Sequence, residues 1–251
     1  MTVSVLNYHR LLFHWHHRKF FKFRRHLTQK EKDYLEACFR LAESFEEVSD
    51  SGYAHFSYYS YSHRVNGDRV NSSRLAYGSV RRPREALAAA LPVLEERGVS
   101  LPDFLQGSPS SRFYGLGWDL LERQFKVYFR VRGLGELPAE VSGLLAGYSL
   151  DEYREEGLVS FTYTEDQLTE RKVYLYPREG RTGLPRGVAR EARMITDQRG
   201  DVPQYDVATP ADWLERLNPA GKRIVNLYRE RNETLDTIAY ENPDRFTLYF
   251  P

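Results

Sequence analysis

The chain has 251 residues, enough for one large domain with a sizeable core, and it is expected to form a single unit over 1–251. Its 36 Lys and Arg nearly balance 35 Asp and Glu, so bulk charge singles out no nucleic-acid partner and none is expected. A single cysteine, Cys38, excludes an internal disulfide framework and a cysteine-rich zinc site. No apolar run approaches the roughly 20 residues of a membrane span, and Met1–Leu12 lacks a signal-peptide pattern, so the expected location is cytoplasmic.

Taken in chain order, residues 1–27 form a basic, aromatic N-terminal segment; the first 30 residues hold seven Lys and Arg and no acid. His9, His14, His16, His17 and His26 lie there without nearby carboxylates, and no metal site is assigned to them. Thr28–Val48 reads as a helix opened by a Thr28/Glu31 capping box. Tyr53–His63 and Asn71–Val80 flank Asn66-Gly67, a strong hairpin signal. Pro83–Arg97 reads as a helix. Arg112–Leu120 and the strand 125–130 make a second hairpin, and Leu137–Ala146 a short helix. Leu158–Thr164 and Lys172–Tyr176 make a third hairpin. Pro177–Arg190 is too rich in Gly and Pro to read as a helix. Ala192–Asp197 and Val202–Val207 flank Arg199-Gly200-Asp201. Thr209–Leu217 and Asn218–Arg231 are helices with Pro in the first turn. Leu235–Tyr240 and Phe246–Phe250 flank a Glu241–Asp244 turn.

Ten antiparallel strands in one flat sheet would leave exposed edges, and closure removes them. The expected fold is therefore α+β: an antiparallel ten-stranded β-barrel surrounded by helices. Alternation then assigns the faces. Phe125, Val127 and Phe129 meet the helices, so Lys126, Tyr128 and Arg130 meet the lumen. Lys172, Tyr174 and Tyr176 repeat that phase, and Arg74, Tyr205 and Tyr249 complete the ring. Buried cations require anionic partners. Few carboxylates share these faces, and a diphosphate would supply the charge through Arg and Lys contacts. Tyr rings would shield an allylic cation. Asp119, beside Trp118 near a hairpin turn, is the candidate acid that orients an acceptor or a lysine.

These residues resemble the cyanobactin-type peptide prenyltransferases of the ABBA group. Gly117-Trp118-Asp119-Leu120 followed by Phe125–Arg130 is similar to that family's Gly-x-Asp-Leu hairpin and Lys-x-x-x-Arg strand. Ser72-Ser73-Arg74-Leu75 resembles its first diphosphate-binding strand. Ala220–Tyr228 with Phe246–Phe250 resembles its last helix and Tyr-rich strand. The resemblance implies αββα repeats in a PT barrel and a dimethylallyl or geranyl diphosphate donor. It implies a peptide or small aromatic acceptor, with Mg²⁺ entering only through the diphosphate. Arg74, Lys126, Arg130, Lys172, Tyr174, Tyr205 and Tyr249 would contact the diphosphate or prenyl group. Trp118, Tyr128, Tyr176 and Tyr58 would wall the prenyl and acceptor pocket; Asp119 is the catalytic candidate from its own position, as a lumen-facing acid that orients the acceptor or a lysine. The first strand departs from the family: His55-Phe56-Ser57-Tyr58-Tyr59 contains no Glu to act as a base. A catalytically silent barrel that binds a ligand or peptide is the alternative.

Overall fold

A computed structural model describes residues 56–79, 95, 98–103, 105, 111–119, 122–164, 166–178, 191–207, 210–230 and 234–250. The expected helix Thr28–Val48, segment 1–27, nearly all of Pro83–Arg97 and residues 179–190 lie outside the described residues. The strands are β1 (Phe56–Asn66), β2 (Arg69–Ser79), β3 (Ser111–Asp119), β4 (Gln124–Arg132) and β5 (Glu156–Thr164). They continue with β6 (Gln167–Leu175), β7 (Glu191–Thr196), β8 (Gly200–Asp206), β9 (Thr237–Asn242) and β10 (Arg245–Phe250). All pairings are antiparallel between sequence neighbours, and β1 also pairs with β10, so the sheet closes on itself. Closure leaves no strand edge free to template another chain.

Turn chemistry sets the hairpins. Gly67 takes φ 58° at the first position of a two-residue loop between Asn66 and Arg69. Between β7 and β8, Thr196 Oγ1 accepts from the amides of Gln198 (3.2 Å) and Arg199 (2.8 Å), and Gly200 takes φ 71°. The five hairpin turns thus sit at one end of the barrel, and the inter-hairpin connections at the other. β6 begins at Gln167, five residues before the expected Lys172, because Thr169 and Glu170 continue the ladder against Thr162 and its neighbours.

On the outer face, Phe125, Val127, Phe129 and Val131 of β4 are buried, as are Val159, Phe161 and Tyr163 of β5. Tyr163 donates its hydroxyl to the Ser100 carbonyl at 3.0 Å, which satisfies the polar tip of an otherwise apolar face. Leu137–Ala146 is not one helix. Pro138 opens a single turn, α1 (Ala139–Ser142), which tightens to a 3₁₀ turn at Gly143–Leu145 and ends at Gly147 with φ 92°.

Two helices, α2 (Pro210–Leu214) and α3 (Pro219–Arg229), cover β1, β9 and β10. Asn218 caps α3 by accepting from the Gly221 amide at 3.0 Å, with Pro219 pre-set for the first turn. Trp213, Leu217, Ala220 and Val225 pack on Val65, Ile238, Phe246, Leu248 and Phe250. No helix among the described residues is long and apolar enough to cross a membrane.

Gly221 brings α3 against β10: a Cβ there would lie 2.6 Å from Phe246 Cζ. Phe246 is itself buried, so the ring has little freedom to retreat. Gly221→Ala should destabilise the fold by about 1–3 kcal/mol despite better helix propensity. Urea unfolding checks this, and an unchanged or higher midpoint would count against the packing described.

Candidate functional site

The inward residues of all ten strands line one cavity of about 160 Å³. It is divided along the barrel axis by residue type. Toward the hairpin end lies a charged layer, and toward the opposite end an apolar and phenolic one.

The charged layer is built from strand phase. Arg74 of β2 stands opposite Asp119 of β3, with Nε 3.1 Å from Oδ2. The pair is an ionic contact without hydrogen-bond alignment, since neither atom has a hydrogen-bond partner. Asp119 is fully buried and accepts at Oδ1 from Asn71 Nδ2 (2.7 Å) and the Glu122 amide (3.2 Å). This carboxylate therefore holds Arg74 and the turn after β3. Lys126 of β4 faces Gly117 across the ladder, and the missing Cβ leaves room for it and for Tyr128. Lys172 of β6 pairs with Glu170 at 2.7 Å. Arg199, from the β7–β8 turn, lies 3.7 Å from Glu170 and 3.2 Å from Glu241.

Lys126 is the odd charge. It is 3% exposed and has no hydrogen bond or ion pair to any described residue. Burial pushes its pKa well below the ordinary lysine value, and Arg74 and Lys172 push it further the same way. Burial also lowers Lys172, to about 8, although Glu170 opposes the shift. Burial tends to raise Glu170, but Lys172 and Arg199 outweigh it and hold the carboxyl below its usual value. In the lumen, Arg74, Lys126, Lys172 and Arg199 are met among the described residues by Asp119, Glu170 and Glu241, which leaves the layer positive.

The other layer contains Leu158, Tyr174, Met194, Val202 and Ala239, with Tyr114, Tyr128 and Tyr249 packed against them. The rings of Tyr128 and Tyr174 lie 6.5 Å apart. Burial, then Tyr128 and Tyr249, raise the Tyr174 phenol well above its usual pKa, so it remains a neutral donor.

The structure brings Arg74, Lys126, Lys172, Tyr128, Tyr174 and Tyr249 together around the cavity, with Tyr176 at its exposed mouth. Arg130 shares their phase but lies beyond them. It is exposed, with its guanidinium 4.9 Å over the Tyr114 ring. Tyr205 is a correction. In β8 Val202 and Gln204 point inward, so Tyr205 points out and packs on Trp213 at 5.1 Å between ring centroids. The side chains of Tyr58 and Trp118 lie outside the described residues.

Arg64, Glu170 and Arg199 were not foreseen. Extending the Lys172–Tyr174 alternation two residues back would have found Glu170. Arg64 follows Ser62 in the phase of β1, across a bulge between Ser62 and Arg64. Arg199 sits in a turn, where no alternation signals it. No family model matches the chain, and no curated protein does.

Lys126 and Lys172 make opposite predictions for stability. Lys126→Met removes a buried amine that has no ion pair to any described residue and should raise the thermal midpoint of the ligand-free protein. Lys172→Met strips the nearer partner from buried Glu170 and should cost up to about 3–5 kcal/mol. Because the folded pKa of Lys172 lies below its unfolded value, the unfolded chain binds more protons between them. Stability should therefore rise with pH from about 8 to about 10.5, and that slope should shrink in Lys172→Met. Urea unfolding at stepped pH reads both effects.

Proposed function

We propose that the barrel is a prenyltransferase of the PT-barrel type, its remaining outer face covered by helices as αββα repeats would place them. The observation that carries the reading is the two-layered lumen: unneutralised cations beside a neutral, phenol-rich apolar chamber. An isoprenyl diphosphate has the same division, with an anionic head and an apolar tail. Its head would lie against Arg74, Lys126 and Lys172, and its tail among Tyr128, Tyr174 and Tyr249.

The chemistry follows from that pose. The bond between C1 of the isoprenyl group and the diphosphate oxygen breaks, and both electrons leave on oxygen. The cations stabilise that developing charge without having to reorganise. The allylic cation faces tyrosine rings, whose π-faces attract it and whose packing excludes water. A nucleophilic atom of a peptide side chain or small aromatic then attacks C1, and its proton passes to solvent or to the released diphosphate. Asp119 is a positioning group for Arg74 in this scheme. Mg²⁺ would enter on the diphosphate oxygens, because the described residues offer no group of three His, Cys, Asp or Glu. The cavity is small beside usual ligand pockets of about 300–1,000 Å³, which favours a five-carbon donor over geranyl.

One observation favours a silent, binding-only barrel as a second reading. Asp119 and Glu170 are both engaged by cations, and no carboxylate lines the phenolic half among the described residues. No described group there can take a proton from an acceptor hydroxyl.

The test uses dimethylallyl diphosphate with peptide and phenol pools, read by mass spectrometry, beside calorimetry with the thiolo-diphosphate analogue. An isoprenyl mass shift supports the enzyme, and analogue binding without any shift supports the silent barrel. Absence of both removes both readings. Arg74→Gln and Lys126→Met should each weaken the analogue about 10- to 100-fold, the loss of one charge-assisted contact. Gly117→Ala, whose Cβ would lie 3.1 Å from the Tyr128 ring, should slow turnover more than it weakens binding.

A further inference from the structure

A second cavity, of about 260 Å³, lies at the hairpin end of the barrel. Arg199 and Thr247 line both it and the lumen, so the two chambers adjoin. The proposed reaction uses nothing else in its wall. Its charges are three arginines, Arg64, Arg199 and Arg245, and two carboxylates, Glu170 and Glu241.

The carboxylates are already engaged. Glu170 pairs with Lys172 at 2.7 Å, and Glu241 with Arg199 and Arg245 at 3.2 Å each. Arg64 is left over. Its guanidinium has no hydrogen bond or ion pair to any described residue, and Nε is buried without a partner. Burial lowers its pKa, and Arg74 and Arg199 add to that shift, while Asp119 and Tyr249 oppose it. A guanidinium in this position is destabilising unless an anion reaches it. The neutral groups around it, Asn66, Gln124 and Gln198, carry amide donors that suit an oxyanion.

We propose that this hairpin-end chamber is a second anion site, distinct from the lumen, which binds a small phosphate-type oxyanion through Arg64 and Arg245. The inference goes beyond prenyl transfer and does not require it. If the lumen reading holds, released inorganic diphosphate is one source of the oxyanion, and the site would make that product an inhibitor. Free inorganic phosphate is the other source.

Calorimetry on the full chain with inorganic diphosphate, and separately with inorganic phosphate, tests this. Wild type should bind two equivalents of diphosphate. Arg64→Gln should lose one of them and leave binding of the dimethylallyl thiolo-diphosphate analogue within about twofold. Lys126→Met should lose the other. Arg245→Gln alters a half-exposed side chain and serves where Arg64→Gln fails to fold; it should weaken the same equivalent about tenfold. Phosphate binding that matches diphosphate at the Arg64-dependent site assigns it to the free ion; marked preference for diphosphate assigns it to the product. A single equivalent in wild type that survives Arg64→Gln, or one lost equally to Arg64→Gln and Lys126→Met, overturns the proposal, because Arg64 would then hold no anion of its own. Loss of analogue binding only in Lys126→Met, with two equivalents never seen, sinks this inference and spares the lumen reading. The reverse pattern, an Arg64-dependent equivalent with no analogue bound, spares this site alone.

Discussion

A lysine enclosed by protein, with cations for neighbours and no ion pair to any described residue, sets the terms for the rest of this barrel. Lys126 is held inward because β4 must put Phe125, Val127 and Phe129 against the outer core, and pleating leaves the lysine no other direction. Its neighbours in the lumen are fixed the same way, by the outward apolar residues beside them. Hydrophobic packing on the outside thus enforces electrostatic repulsion on the inside. A group that costs stability and is nonetheless locked in place is a common signature of a binding site.

The two carboxylates of the lumen fit that view. Asp119 is bound by Arg74 and Asn71, and Glu170 by Lys172 with Arg199 nearby. Each neutralises the cation beside it and fixes its position, and neither lies where it can cancel the remaining charge. The outcome is a rigid, net-positive layer with a phenolic chamber beside it. Ligand charge would lower the energy of this layer directly, and the lowered lysine pKa values would rise as it did so. The cavity is therefore better suited to a compact, strongly anionic molecule than to a neutral one of the same size.

How far the sequence revealed this depended on where each residue sits in its strand. Lys126, Tyr128, Lys172 and Tyr174 occupy mid-strand positions flanked by buried aliphatics, and there alternation alone assigns the face. Closure of the ten strands was legible too, from five strand pairs and turn signals such as Asn66-Gly67 and Glu241–Asp244. Tyr205 was misread because its strand is polar at both phases; only Trp213 packing against it decides which side is out. Arg64 and Arg199 lie at a bulge and in a turn, where period-2 reasoning ends. The segment Leu137–Ala146 had helical composition, but Pro138, Gly143 and Gly147 break it into single turns.

Proton counting on ligand binding addresses the buried, unbalanced charge most directly. The dimethylallyl thiolo-diphosphate analogue would be titrated into the protein near pH 8 in buffers of different ionisation enthalpy. Lys126 and Lys172 are both depressed in the free barrel, so the bound anion should draw protons in from solution. Net proton uptake, reduced in Lys126→Met and in Lys172→Met, is the expected result. Binding with no proton uptake, or with release, would mean that these lysines already have their counter-charge, and the site would have to be reconsidered.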